Sequence, residues 1–275
     1  MYFYLPLLLL LIPLTMLTSG CSPQHSKPLM SLVSKERPHQ AVLKIGIAPD
    51  APPFVYRRDG RITGLEIELA ADLARFTNSS LAFIELPRHD LFQALADGTI
   101  DIIMSGITTD EARARRGRAT EPYLTSGQVA LVRLNDSTLL GLDSHHLSTR
   151  DVRIGAVAGT AGERFINNLN HMGSTSVFST APEGVQALLS HSIDVFIHDM
   201  PTNFYYASLY IDRGLTPDLT PMTREDLAWV VHPDNKELLQ AANSYLLTVR
   251  QSGELDRLLE RYIPLYQHAE DGSGP

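Results

Sequence analysis

Ile100-Asp101-Ile102-Ile103-Met104-Ser105-Gly106-Ile107-Thr108-Thr109-Asp110-Glu111-Ala112-Arg113 is the stretch whose reading decides the fold. Its first five residues form a short, almost wholly apolar run closed by Ser105-Gly106. That pattern predicts a buried strand ending in a turn. Thr108 or Thr109 then caps a helix, with Asp110 and Glu111 in its first turn, where the helix dipole favours negative charge. Arg113 falls early on that helix, close to the end of the strand. Open α/β sheets bind ligands in the crevice at the carboxyl ends of their strands. A guanidinium there is a rigid fork matched to a carboxylate. Spacing leaves a second reading open, in which Arg113 is one of a solvated run with Arg115, Arg116 and Arg118.

Far along the chain the pattern returns as Asp194-Val195-Phe196-Ile197-His198-Asp199. Val195 to Ile197 reads as another buried strand, and Pro201 suits the first turn of a following helix. Asp199 either caps that helix or offers its carboxylate to an ammonium; spacing alone favours the cap. Folded together, a cation from the first stretch and an anion from the second would make a grip for a zwitterion.

Outward from these two stretches, short apolar runs alternate with helical patterns. Strands are predicted over Leu43–Ala48, Leu81–Leu86, Val129–Leu134, Arg153–Ala158, Thr175–Phe178, Val195–His198 and Leu227–Val231. Helices are predicted over Glu66–Phe76, Leu91–Ala96, Gly162–Leu169, Pro182–Leu189, Pro201–Tyr210, Lys236–Gln251 and Glu254–Tyr262. This alternation predicts parallel sheets. The 275 residues are 44% hydrophobic and 20% charged, ordinary for a globular chain of one or two domains. The formal net charge of −8 argues against a nucleic-acid partner, which would require a basic face.

Seven segments, in order, resemble the bacterial solute-binding proteins of the polar amino-acid type, family 3. They are Ile45 to Phe54, Gly64-Leu65-Glu66-Ile67-Glu68-Leu69, Leu95 to Asp101, Ser105 to Arg113, Glu121-Pro122-Tyr123, Gly155 to Thr160 and His198-Asp199. The resemblance spans residues 41 to 265. It implies a periplasmic-binding-protein-like α/β fold, with two lobes of mainly parallel sheet joined by two hinge strands. One lobe is expected over 41–125 plus 227–266 and the other over 129–223, with crossings near Ser126-Gly127-Gln128 and Glu225-Asp226. Ligand binds in the cleft and closes it.

The resemblance also assigns roles. Arg113 takes the ligand carboxylate with Thr108, Ser105 and the Gly106 backbone. Thr160 and the neighbouring amide of Ala161 meet the same group from the second lobe. His198-Asp199 forms the ammonium site, with the Gly106 carbonyl as a second acceptor. Ala51 and Arg88 stand where many relatives carry aromatics. An Arg88 facing the cleft would favour an acidic or strongly polar ligand side chain; as a loop residue it would only be solvated. Tyr56, Phe54 and Tyr123 are candidate apolar walls. Leu86-Pro87-Arg88 with Gly64-Leu65-Glu66 also resembles the ligand module of some membrane-bound lytic transglycosylases, which would make the ligand a cell-wall amino acid or peptide fragment. No lysozyme-like domain is expected after Tyr262.

The N-terminal apolar run Leu5 to Leu17 ends in Leu17-Thr18-Ser19-Gly20-Cys21, which resembles a lipoprotein signal. Residues 1–20 would be the signal peptide, the sole cysteine Cys21 the lipidated first residue, 21–40 a flexible tether and 267–275 a disordered tail. The segment lacks a basic start, and its leucine stands four residues before the cysteine rather than three. The expected protein is an exported, membrane-anchored monomer in the periplasm or at the cell surface. It would deliver an amino acid or small carboxylate to an ABC permease in the inner membrane, with no cofactor, no metal and no catalysis. Two alternatives share the cleft: a sensor, and a cyclohexadienyl or arogenate dehydratase-like enzyme with Glu163 as its acid.

Overall fold

The computed structural model describes residues 41–135 and 144–263. The expected signal peptide, tether and tail, and Cys21 itself, lie outside the described residues. The described chain opens with β1 (Val42–Ile47), then β2 (Asp50–Ala51), β3 (Val55–Arg58) and β4 (Arg61–Thr63). β2, β3 and β4 form a small antiparallel sheet absent from the sequence reading. Its signal was present: Asp59 and Gly60 both take positive φ, 51° and 75°, the two-residue hairpin turn that Asp-Gly favours.

Helix α1 (Leu65–Phe76), β5 (Ser80–Glu85), α2 (Leu91–Ala96) and β6 (Ile102–Ile103) follow. Next come α3 (Thr109–Ala114), β7 (Arg118–Ala119), β8 (Leu124–Ser126) and β9 (Gln128–Arg133). The chain continues through α4 (Ser144–Thr149), β10 (Ile154–Val157), α5 (Ala161–Asn168), β11 (Thr175–Phe178) and α6 (Ala181–Leu189). It then runs through β12 (Val195–Asp199), α7 (Met200–Leu209) and β13 (Leu215–Pro217). β14 (Glu225–Leu227), β15 (Val230–Val231), α8 (Lys236–Gln251) and α9 (Glu254–Tyr262) complete it.

Two five-stranded sheets result, ordered β5-β1-β6-β15-β7 and β11-β10-β12-β9-β13. Each contains a parallel trio, β5-β1-β6 in one and β11-β10-β12 in the other. The remaining pairs are antiparallel. The expectation of mainly parallel sheets therefore holds for the trios, and the strands next to the crossings run the opposite way. The predicted strand Leu227–Val231 divides for the same reason. Its first part pairs with β8 and its second with β6 and β7.

Both sheets are covered on both faces. In the first, Ile102 and Val231 join the cluster with Leu69, Leu73, Leu246 and Leu255, while Ile103 and Val230 face Leu91, Leu95 and Ala112. In the second, Leu131 and Phe196 pack on Val185 and Leu188, while Ala130, Val132, Val195 and Ile197 pack on Ile166. Successive strand residues point to opposite faces, so two covered faces demand an unbroken apolar run. Each such side chain buried contributes about 1.5–3 kcal/mol. A column of rings runs through the first cluster: Tyr123 stacks on Trp229 at 5.9 Å, and Trp229 stacks on Tyr245 at 6.0 Å.

β8 and β14 pair between the sheets, with Ser126 opposite Glu225 and Leu124 opposite Leu227. Gly127, between β8 and β9, lies against the neighbouring segment; a Cβ there would stand 2.0 Å from the Thr223 carbonyl oxygen.

Candidate functional site: an acidic cleft between two sheets

A cavity of about 440 Å³ is lined from both sheets. Asp50, Phe54, Arg88, Gly106, Thr108, Glu111 and Arg115 come from one side, and Thr160, Ala161, Thr180, His198 and Asp199 from the other. Gln128 and Glu225, at the crossing, complete it with Leu227.

Helix α3 decides which charges face inward. Thr108, not Thr109, is its N-cap; the Thr108 hydroxyl oxygen accepts from the Glu111 N–H at 3.1 Å. That fixes Glu111 at the cleft. Arg113, two residues later, is turned about 200° round the helix. Its side chain is 80% exposed, bonded to Asp110 at 2.9 Å, and is not among the cleft residues. The expectation that Arg113 receives a carboxylate is corrected by this register. The arginine on the Glu111 face is Arg115, four residues on; its guanidinium lies 5.9 Å from the Phe92 ring centroid.

Arg88 does face the cleft, with its side chain 16% exposed. Its guanidinium is already occupied. It donates to the Ser105 carbonyl at 2.9 Å, the Gly106 carbonyl at 3.3 Å and Glu111 Oε2 at 2.8 Å. Burial works against its charge, but Glu111, Asp50 and Asp199 raise its pKa above the ordinary value. Arg88 is therefore a structural tie rather than a free hand for an acidic ligand, which corrects that part of the sequence reading. It also occupies the Gly106 carbonyl that was expected to take an ammonium.

Below this tie, the Gly106 N–H donates to Glu66 Oε2 at 2.7 Å. Gly106 itself has φ 61°, the left-handed region in which glycine is unstrained. Glu66 is fully buried. Burial pushes its carboxyl up to about 7, against smaller opposing contributions from Gly106, Tyr123, Arg88 and Trp229. Ser105 is also buried; its hydroxyl accepts from Ala48 N–H at 3.0 Å, so it holds the loop rather than touching the cavity. Tyr56 is buried against Tyr205, 5.2 Å between centroids, and does not line the cleft. Tyr123 is likewise under the floor, and Phe54 alone of the three aromatics reaches the cavity.

The opposite wall retains more of the expected residues. Asp199 caps α7, accepting from Thr202 N–H at 3.0 Å and from its hydroxyl at 3.1 Å, and it also lines the cleft. Both readings of Asp199 are thus compatible with its place. His198 Nδ1 lies 2.5 Å from Asp199 Oδ2 and 2.9 Å from the Asp199 N–H. Burial pushes Asp199 up, but His198 and Thr202 outweigh it and hold its pKa below the usual value.

Thr160 caps α5. Its hydroxyl donates to Val157 O at 2.6 Å and accepts from Glu163 N–H at 3.3 Å. Glu163, the acid required by the dehydratase reading, accepts from Gly159 N–H at 2.7 Å and so satisfies the amide just before the cap. The Ala161 amide at the start of α5 has no intrahelical acceptor, and Ala161 lines the cleft, where such an amide suits an anion. Glu111, Asp50, Glu225, Gln128, Glu66 and Arg115 were not singled out as site residues from sequence. Only the Thr108-to-Glu111 spacing could have pointed to one of them. Among the described residues no group of three or more His, Cys, Asp or Glu side chains is arranged for a metal ion.

Residues 43–264 match the bacterial extracellular solute-binding proteins, family 3. The L-cystine-binding protein TcyJ of Escherichia coli is 24% identical over 235 residues, covering 83% of this chain and 84% of that protein. Membrane-bound lytic murein transglycosylase F of Idiomarina loihiensis is 27% identical over 259 residues, covering 89% of this chain but only 53% of the relative. The crystal structure of an ancestral amino acid-binding protein, a precursor of cyclohexadienyl dehydratase, superposes with a TM-score of 0.74 and 27% identity, covering 81% of this chain and 95% of that one.

Proposed function

We propose, on the premise that this chain belongs to family 3 of the bacterial extracellular solute-binding proteins and is therefore a binding receptor, that its solute is an amino acid or a close analogue. The observation that carries this is the placement of Asp199, an ionised carboxylate in the cleft, on the same wall as the Ala161 amide at the start of α5, with Thr108, Phe54 and Arg115 on the wall opposite. An α-ammonium on Asp199 and an α-carboxylate on the Ala161 amide would seat the ligand on one wall, and contacts to Thr108 and Arg115 would tie it to the other lobe. A contact from both sides favours the closed state, since only differential binding shifts such an equilibrium. Arg115 adds a cation at the rim, and Thr108 and Phe54 supply polar and apolar wall.

The receptor would hand its solute to an ABC permease. Its lobes would be 41–125 with 227–266, and 129–223. Cys21 would carry the lipid that keeps it at the membrane. Replacing Cys21 with serine should release the protein into the soluble fraction, and continued membrane association would reject the anchor.

Asp199→Asn tests the ligand assignment. Asparagine caps a helix as well as aspartate does, so α7 should remain intact while the charge is lost. A thermal-shift panel of amino acids should show stabilisation of the native chain, about 2.7 kcal/mol at a hundredfold excess over Kd. The variant should lose that response with an unchanged ligand-free melting profile. Retained affinity in the variant would remove Asp199 from the site.

A further inference from the structure

One ring nitrogen in the cleft has two incompatible partners. His198 Nδ1 lies 2.5 Å from Asp199 Oδ2 and 2.9 Å from the Asp199 backbone nitrogen. With a proton, Nδ1 donates to the carboxylate and is no acceptor. Without one, it accepts from the Asp199 N–H and has nothing to give Oδ2. The proton therefore decides which partner His198 serves. Both side chains line the cavity, and the imidazole is only 9% exposed.

The carboxylate at stake is already well occupied. Thr202 donates its N–H to Oδ1 at 3.0 Å and its hydroxyl to Oδ2 at 3.1 Å. A protonated Nδ1 adds a third donor and cancels the charge. Burial pushes the Asp199 carboxyl up, and His198 leads the groups that pull it down. A solute ammonium needs the same negative charge. Two cations thus compete for one anion, and the linkage is reciprocal: the factor by which a proton weakens the solute is the factor by which the solute weakens the proton.

The elements around His198 bring few other charges to it. Val129 and Gln128, opposite His198 and Asp199 on β9, are uncharged. The Phe196 ring lies 5.7 Å from the imidazole. From α7, the Asn203 amide reaches the His198 carbonyl at 3.5 Å, and burial pushes the Tyr206 hydroxyl up. The carboxylate of α6, Glu183, accepts from the Ser179 N–H. On α5, Glu163 is bound to the Gly159 N–H, and Arg164 borders a neighbouring groove with Glu225. Burial raises the Glu225 carboxyl at the crossing. The opposite wall brings Asp50, His89 and Arg115, with Arg88 and Glu111 bound to each other and Tyr123 beneath the floor.

We propose that His198 is a proton switch on the solute site: protonated, it keeps the Asp199 carboxylate for itself; neutral, it yields that carboxylate to the solute ammonium. This rests on the receptor reading, in which Asp199 takes an ammonium, and adds release of the solute in acid. Binding expels the His198 proton, and acid expels the solute.

The test is calorimetry on the full chain in detergent between pH 5 and 8, the range in which histidine changes charge. The probes are the common amino acids other than histidine and cysteine, whose side chains do not titrate in that range. The affinity of any that binds should fall at least about tenfold from pH 8 to pH 5, since an opposite charge in contact moves a titration by about one unit or more. The binding heat should vary with the buffer, because protons are released. His198→Gln should lose most of that fall. A flat profile in the native chain would overturn the switch and leave the receptor reading standing. A fall of the same size in His198→Gln would assign the proton to Glu225 or His89 and overturn the switch as well. No binding by any probe would overturn both readings. If the variant does not fold, the ring resonances of the ten histidines in the native chain decide. One imidazole should lose its proton as the bound amino acid is added, and none doing so would overturn the switch.

Discussion

Arg88 arrives at the cleft with its hydrogen bonds already made, so its value lies in what it holds. It ties the Ser105 and Gly106 carbonyls to Glu111 across two loops. With the Glu111 side chain only 7% exposed, the pair is a buried one. Breaking a buried pair strands the remaining charge, and the cost is roughly 3–5 kcal/mol. Arg88→Met and Glu111→Leu should each lower stability by that order in urea titrations. The double variant should cost clearly less than their sum, because neither charge is left alone. Glu66 makes a second prediction at this scale. Its carboxyl is raised from 4.5 to about 7 in the folded chain. As pH rises the unfolded chain therefore loses this proton first. The stabilisation that Glu66 supplies is complete below about 4.5 and is lost as pH climbs to about 7. The full swing is roughly 3 kcal/mol. Glu66→Gln keeps an acceptor for the Gly106 N–H and removes the titration. The variant should gain on the native chain in urea midpoints between pH 5 and 8, and a constant difference across that range would refute the assignment.

Three helices begin with the same four-residue device, Thr-x-x-Glu: α3 at Thr108–Glu111, α5 at Thr160–Glu163 and α6 at Thr180–Glu183. In α5 and α6 the glutamate turns back to cap the amides of Gly159 and Ser179. In α3 the glutamate goes to Arg88 instead. Sequence shows the device but not where its carboxylate ends, because Arg88 lies 23 residues away and only tertiary packing brings it close. The same distinction separates what could be read from what could not. The apolar runs of β1, β9, β10 and β12 and the helical periods of α1, α8 and α9 are local signals, and each element stands where its pattern placed it to within a residue or two. The register that turns Arg113 outward depended on which of two threonines caps α3, a choice that local pattern left open. The division of Leu227–Val231 depended on which strands it would meet. Thr180→Ala should cost α6 about 0.5–2 kcal/mol, measurable as a lowered denaturation midpoint. An unchanged midpoint would show that the hydroxyl contributes nothing to that cap.

Across the whole molecule, the two sheets communicate through the β8–β14 pair and the segment at Gly127. Gly127→Ala would drive a methyl into the Thr223 carbonyl. Overpacking of this kind costs roughly 1–3 kcal/mol, and for a chain of this size about 2–4 °C of melting temperature per kcal/mol. A calorimetric scan should register that loss, and a melting temperature equal to the native one would mean the crossing yields more readily than its geometry implies. The ring column gives the molecule a different asset. Trp229 is the sole tryptophan, fully buried between Tyr123 and Tyr245, and it adjoins the Glu66 carboxyl beneath Gly106. Light absorbed at the red edge of the protein band therefore enters at one known place. Its emission should be blue, resistant to dissolved quenchers and dimmed or shifted when Glu66 changes charge. Any solute that moves the Gly106 loop would write itself into that single spectrum, so the chain carries its own dye at the floor of the cleft.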